Sequence, residues 1–303
     1  MDQAATPKHS DVYQRVTAEI IKAIESDMDG GYTMPWHRGT TLGLPRNVVS
    51  RRSYHGLNTL ALWTTAGARH YRSPFWGTFL QWKKLGAHVR KGERGTSVLF
   101  FKKEDDKRKA DQECDTEKRR VLVCSSAVFN AAQVDGWQDE ATVLNDRTVH
   151  LEAVERFING IGAKVEYGGD RAFYQPSSDR IRMPERSAFI GTETSSATES
   201  FYAVLLHEHV HWSGHPSRLD RDLTGRFGTD AYAMEELVAE LGAAFLCADL
   251  RVTNEPRKDH ALYVKSWLPV LRERKLALAN TATAATSACR YLVDLSALAE
   301  QVA

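Results

Sequence analysis

Cysteine is scarce in this sequence. Four residues in 303, Cys114, Cys124, Cys247 and Cys289, stand far apart with no CxxC pair. A disulfide-stapled scaffold and a cysteine zinc ribbon are therefore excluded, and buried neutral thiols in a reducing cytosol are expected. Long apolar runs are missing too: no stretch approaches the ~20 apolar residues a membrane helix needs, so no membrane association is expected. Residues Met1 to Lys8 have no apolar core, so no secretory signal is expected and the protein is placed in the cytoplasm. Internal repeats are absent. The one biased tract, the Ala- and Thr-rich stretch Ala277–Ala288, reads as a close-packed helix. Acidic residues are the last scarcity, and it is a local one. Between Gly31 and Lys103 there are thirteen Lys or Arg and one acid, Glu93, a net +12; the rest holds 27 basic and 38 acidic residues, a net −11. An asymmetry of this size predicts two units with different jobs and a polyanion partner for the basic one.

The basic segment is also the aromatic one, with Tyr32, Trp36, Tyr54, Trp63, Tyr71, Phe75, Trp76, Phe79, Trp82, Phe100 and Phe101 inside it. Lys and Arg neutralise phosphates, while aromatic faces stack on bases that are not already stacked; the interleaving points to single-stranded nucleic acid rather than duplex. Candidate contacts are Trp36, Arg38, Arg46, Arg51, Arg52, Tyr54, Trp76, Trp82, Lys83, Lys84, Arg90 and Lys91. Trp63, Phe79 and Phe100 are expected in the core.

Periodicity predicts a helix over residues 11–28, with Val12, Val16, Ile20 and Ile24 on one face, and shorter helices near Leu57–Thr65 and Phe75–Lys84. Ser97–Phe101 and Arg120–Val123 read as strands, with the charged segment Glu104–Arg119 as a solvated loop between them. The domain boundary falls between Trp137 and His150. Beyond it come a helix at Leu151–Asn159, strands at Ala163–Tyr167, Arg171–Gln175 and Arg180–Met183, and helices over Ser195–Ser213, Ala231–Leu250 and from Lys258 to the end.

His207-Glu208-His209-Val210-His211 contains the pattern H-E-x-x-H. On a helix, positions i and i+4 lie one above the other, so His207 and His211 can reach one cation. Glu208, one step round, can hold a water as general base. His209 is expected to point away, toward the surface. Downstream, Glu236 and Glu240 are four apart and share a helix face, so one can bind the metal while the other supports a liganding histidine. Glu235 lies about 100° from Glu236 and is expected to contribute little. Two histidines and a glutamate leave one coordination position open, as a catalytic zinc requires; another divalent metal such as Mn is the alternative.

H-E-x-x-H with a later E-x-x-x-E resembles the glutamate zincins, which implies Glu236 as the ligand and Glu240 as its supporting partner. Gly214 resembles the turn glycine of metzincins, but their third histidine would fall at position 217, where this chain has Ser217. A wider resemblance covers nearly the whole chain. Pro35-Trp36, Asn47 through Asn58 and the run from Lys83 to Glu93 are similar to the N-terminal domain of ArdC-type antirestriction proteins; His207–Pro216 and Glu235–Phe245 are similar to the metallopeptidase domain fused to it. Such proteins also resemble the N-terminal part of plasmid primases of the TraC type. The resemblance implies an α+β protein of two domains: a small mixed α/β domain binding single-stranded DNA, residues 1–145, and a zincin-like metallopeptidase domain, residues 146–303. It further implies protection of incoming plasmid DNA from host restriction during conjugation; host restriction-system proteins or other protein substrates are the candidate protein partners, and no feature of the sequence names one. The competing reading is a non-proteolytic single-strand binder whose metal site is structural or vestigial.

Overall fold

The computed structural model describes residues 43–103, 121–138, 147–191, 195–225, 229–252, 260–274 and 276–302, with scattered helical positions between 14 and 25. The candidates Trp36 and Arg38, the charged segment 104–119 and most of the expected boundary region lie outside the described residues.

The N-terminal part is built on a four-stranded sheet in the order β1-β2-β5-β4, from β1 (Arg46–Asn47), β2 (Phe75–Thr78), β4 (Thr96–Lys103) and β5 (Val121–Asn130). β1 runs parallel to β2, and the other pairs are antiparallel. β3 (His88–Val89) and β6 (Val134–Asp135) form a separate two-stranded ladder. Helix α1 (Leu57–Arg69) and the short α2 (Phe79–Lys84) accompany these strands among the described residues. The expected helix over Phe75–Lys84 is half strand. Phe75 and Trp76 are buried in the sheet, and the helix starts only at Thr78, whose hydroxyl accepts from the Gln81 amide while the Gln81 side chain accepts from the Thr78 amide. The predicted strands 97–101 and 120–123 extend to eight and ten residues as one long antiparallel pair.

The C-terminal part places a three-stranded sheet, β7 (Lys164–Tyr167), β9 (Arg180–Met183) and β8 (Phe173–Gln175) in that order, beside five helices among the described residues. These are α3 (Arg147–Ile161), α4 (Ala197–Ser213), α5 (Asp230–Leu250), α6 (His260–Glu273) and α7 (Ala277–Val302). The Ala- and Thr-rich stretch is part of α7, as expected: Ala282, Ala285 and Ala288 are fully buried, and Thr281, Thr283 and Thr286 return their hydroxyls to carbonyls one turn back. None of the helices is long and apolar enough to cross a membrane, among the described residues. Cys247 is buried with its thiol pKa pushed up by burial, while Cys124 and Cys289 are half-buried.

One core joins the two parts. Leu57, Leu60, Ala61 and Trp63 of α1 pack into the same cluster as the inner faces of α4, α5 and α7. Trp63 lies 5.8 Å from Phe245 of α5, ring centre to ring centre, and donates its indole N–H to the Gly43 carbonyl. Gly56, entering α1 at φ 57°, sits where the chain meets Ala282 and Thr286 of α7. Burying several apolar side chains at ~1.5–3 kcal/mol each makes this a strong union.

Candidate metal centre and nucleic-acid face

Helix α4 carries H-E-x-x-H through the middle of the C-terminal part. It begins at Ser196, whose hydroxyl accepts from the Glu199 amide while the Glu199 carboxylate accepts from the Ser196 amide at 2.9 Å. It is buried along most of its length, His207, Glu208 and His209 included. Helix α5 crosses it closely because Gly242 has no side chain: a Cβ there would stand 2.8 Å from Val210 Cγ2. The crossing delivers the acidic run of α5 to the histidines of α4.

His207 and His211 turn their Nε2 atoms toward one another, 3.2 Å apart. The Glu236 carboxylate straddles both, 3.7 Å from His207 Nε2 and 3.5 Å from His211 Nε2. Ligands bonded at about 2.0–2.2 Å to a tetrahedral cation stand about 3.3–3.6 Å apart, so this donor set fits such a cation with one position left over. Glu236 is the acidic residue brought to both histidines. Glu240 lies on the far side of His207, its Oε2 3.9 Å from Nδ1, the ring nitrogen turned away from the cluster. Glu208, only 3% exposed, lines with these residues a cleft of about 920 Å³, which also has Phe189, Ile190, Val204, Leu223 and Tyr232 on its walls.

Electrostatics match the geometry. Burial works against charge on Glu236, but His207 and His211 hold its carboxyl well below the usual carboxylate range. Burial likewise disfavours His211⁺, yet Glu235 and Glu236 raise its pKa to about 10.

Two sequence expectations about this centre are corrected. His209 is not at the surface: it is fully buried, its Nδ1 2.7 Å from the Leu205 carbonyl oxygen, and burial lowers its pKa to about 4. With α5 and α7 packed around α4, the side opposite the metal face is core rather than solvent. Glu235 is also not idle. Its Oε1 lies 3.1 Å from His211 Nδ1, and Arg221 binds both its oxygens. The 100° step turns Glu235 from the face that carries Glu236, and the crossing of α4 and α5 sets it against the outer nitrogen of His211. Nothing in the sequence marked Arg221.

The basic face also needs correction. Trp76 and Trp82 do not present rings to bases: they are 1% and 0% exposed. Trp76 packs against Leu62, Val98 and Val128. Trp82 donates to the Phe129 carbonyl and lies edge-on to Trp137, with Gly77 making room for its ring. Conversely, Phe79 and Phe100 are exposed, Phe79 at 54%, whereas Trp63 is in the core as expected. Arg90 spends its charge locally, on Glu93 at 3.0 Å and Asp135 at 3.3 Å. Arg46, Arg51, Arg52, Lys83, Lys84 and Lys91 are all exposed. The Arg51 guanidinium lies over the Phe75 ring, and half-buried Tyr54 accepts from the Asn47 side chain.

Residues 10–129 match the N-terminal domain of anti-restriction factor ArdC, and residues 152–285 match a zincin-like metallopeptidase family designated MPTase-PolyVal. Protein y4eC of Sinorhizobium fredii (strain NBRC 101917 / NGR234) is 43% identical over 281 residues, 91% of this chain and 89% of its own length. DNA primase TraC of Escherichia coli is 32% identical over 93% of this chain, which spans only 26% of that primase. The antirestriction ArdC protein from R388 plasmid is 34% identical in sequence. Its metal-free structure superposes with a TM-score of 0.75, covering 95% of this chain and 98% of ArdC. Its Mn(II)-bound structure gives 0.73 with 94% and 98% covered. The two matched regions in this order, together with that near-complete likeness, show that the chain belongs to the ArdC antirestriction family, with an N-terminal ArdC domain and a C-terminal zincin-like domain.

Proposed function

We propose that this protein binds single-stranded DNA through residues 1–145 and is a metallopeptidase through residues 146–303, acting in the cytoplasm to protect incoming plasmid DNA from host restriction during conjugation. The observation that carries the peptidase half is the meeting of His207, His211 and Glu236 beside a cleft that also contains Glu208. In this reading His207, His211 and Glu236 are the metal ligands and Glu240 supports His207. Zinc is the first candidate, and Mn(II), which the R388 relative binds, is the alternative. A divalent ion held there supplies Lewis acidity and lowers the pKa of a water toward ~7. Glu208 orients the attacking water and takes its proton, then delivers it to the leaving amine. The apolar walls of the cleft receive the side chains of an extended protein substrate, with restriction-system subunits as the class to test.

For the DNA, Phe79 and Lys83 share one face of α2, as do Leu80 and Lys84, four residues apart. Each pair offers a flat or apolar surface for a base beside a cation for its phosphate. Arg46, Arg51 and Arg52 in the first strand and its turn, with Lys91, extend the positive surface.

The test is proteolysis of candidate restriction subunits by the full chain, with and without single-stranded DNA, against Glu208→Ala. Cleavage by the parent that is lost in Glu208→Ala, with metal and DNA affinity retained, is expected. Equal cleavage by both proteins would contradict the role of Glu208, and none by the parent would favour the non-proteolytic alternative.

A further inference from the structure

The loop that follows α4 reaches back to the metal-facing histidines through one side chain, Arg221. Its guanidinium donates to both oxygens of Glu235, Nε to Oε2 at 3.0 Å and Nη2 to Oε1 at 2.9 Å, in the side-on fork characteristic of an arginine–carboxylate pair. The same group donates to the Val210 carbonyl at 2.6 Å and to the Ser213 hydroxyl at 3.0 Å, so it also ties off the end of α4. Glu235 in turn faces His211 Nδ1 at 3.1 Å.

Gly214 makes the arrangement possible. It ends α4 at φ −81°, a conformation open to any residue, so the turn does not require glycine. The guanidinium does: a Cβ on residue 214 would lie 2.8 Å from Arg221 Nη2 and 2.9 Å from Cζ. The loop is fixed a turn earlier by Arg218, whose guanidinium stacks 3.8 Å over the Trp212 ring, donates to the Trp212 carbonyl and pairs with Asp179 in the β8–β9 turn.

We propose that Arg221 and Glu235 are positioning residues for the metal site: they hold the His211 ring with Nε2 toward His207 and Glu236, and Gly214 is glycine to admit the guanidinium. This rests on the reading of His207, His211 and Glu236 as metal ligands. A histidine whose outer nitrogen has a fixed carboxylate partner keeps its tautomer and its orientation, and losing such a partner weakens metal binding ~10–100-fold. Lysine at 221 would reach one oxygen at a time, because it lacks the planar fork.

Calorimetric titration of Zn(II) into the metal-free full-length protein tests this, with circular dichroism as the check on folding. Glu235→Ala should bind one ion ~10–100-fold more weakly than the parent. Glu235→Gln should recover part of that loss, because its amide oxygen still accepts from His211 Nδ1. Gly214→Ala, which leaves both polar partners in place but displaces the guanidinium, should weaken binding in the same direction. Affinities within twofold of the parent for all three variants would overturn the proposal. A parent that takes up no ion at all would overturn the metal site itself, a different result from the first.

Discussion

The Nε2 atoms of His207 and His211 face each other at 3.2 Å, on successive turns of one buried helix. Two imidazoles so placed can share at most one hydrogen bond, and His207 Nδ1 is buried with no hydrogen-bond partner among the described residues. Buried polar atoms are rarely left that way, and several carboxylates stand close to this pair. Glu236 bridges the inner nitrogens, Glu235 stands behind His211, and Glu240 stands 3.9 Å behind His207. The arrangement has the chemistry of a cation site, with a carboxylate hydrogen-bonded to the outer nitrogen of His211 and another near that of His207.

Single-strand affinity should separate into two measurable parts. Each phosphate contact contributes about −0.7 to the slope of log K against log salt. Lys83→Ala with Lys84→Ala and Lys91→Ala should therefore flatten that slope. Phe79→Ala should weaken binding by ~1–3 kcal/mol and leave the slope unchanged. Trp76→Ala, by contrast, should cost ~3–5 kcal/mol of stability, because its ring is core. Salt titrations of affinity and denaturant melts distinguish these cases. A Phe79→Ala protein with parental affinity would remove the exposed face of α2 from the DNA site.

Gly242→Ala sets two effects against each other. Alanine improves helix propensity by ~0.5–1 kcal/mol, but its methyl meets the stiff Val210 side chain at 2.8–2.9 Å. Overpacking of this kind costs ~1–3 kcal/mol, so net destabilisation is expected, along with weaker metal binding, since Val210 adjoins His211. Val210→Ala in the same chain should restore both. A gain in stability from Gly242→Ala alone would show that the helices do not need this close approach.

The Asp179–Arg218 pair predicts a pH dependence. Hydrogen bonding from Arg218 holds the Asp179 carboxyl below its ordinary range of about 3.9. At pH values between its native and unfolded pKa, the unfolded chain binds more protons, so the pair's contribution is complete above about pH 4 and is lost as pH falls through the depressed value. Asn tolerates the positive φ of 51° at this position, so Asp179→Asn isolates the charge. Urea midpoints from pH 3 to 7 should show the parent's advantage constant at the upper end and shrinking under acid. An advantage that grows on acidification would reverse the assignment.

Much of the site was legible because helical spacing is a strict geometric constraint. His207, His211, Glu236 and Glu240 follow from i, i+4 positions on two helices, and the structure brings them together. His209 lies beyond the reach of such spacing, because a single helix wheel cannot tell a helix with one wet face from one packed against α5 and α7. Trp76 and Trp82 escape the sequence for a related reason: aromatic residues among lysines suggest stacking, but sheet pairing through β2 and the cap at Thr78 decide which rings turn inward. Arg221 left no trace in the sequence, since its contact with Glu235 depends on a loop held by Arg218 and on the space that Gly214 leaves for the guanidinium.

The most direct measurement of the central claim is an anomalous-difference map from crystals of the full chain grown with Zn(II). A single strong peak within about 2.0–2.2 Å of His207 Nε2, His211 Nε2 and a Glu236 carboxylate oxygen is expected, on the wall of the cleft that holds Glu208. A peak held by Glu240 in place of Glu236 would correct the ligand set. No peak at the two histidines would contradict the metal site and the peptidase function built on it.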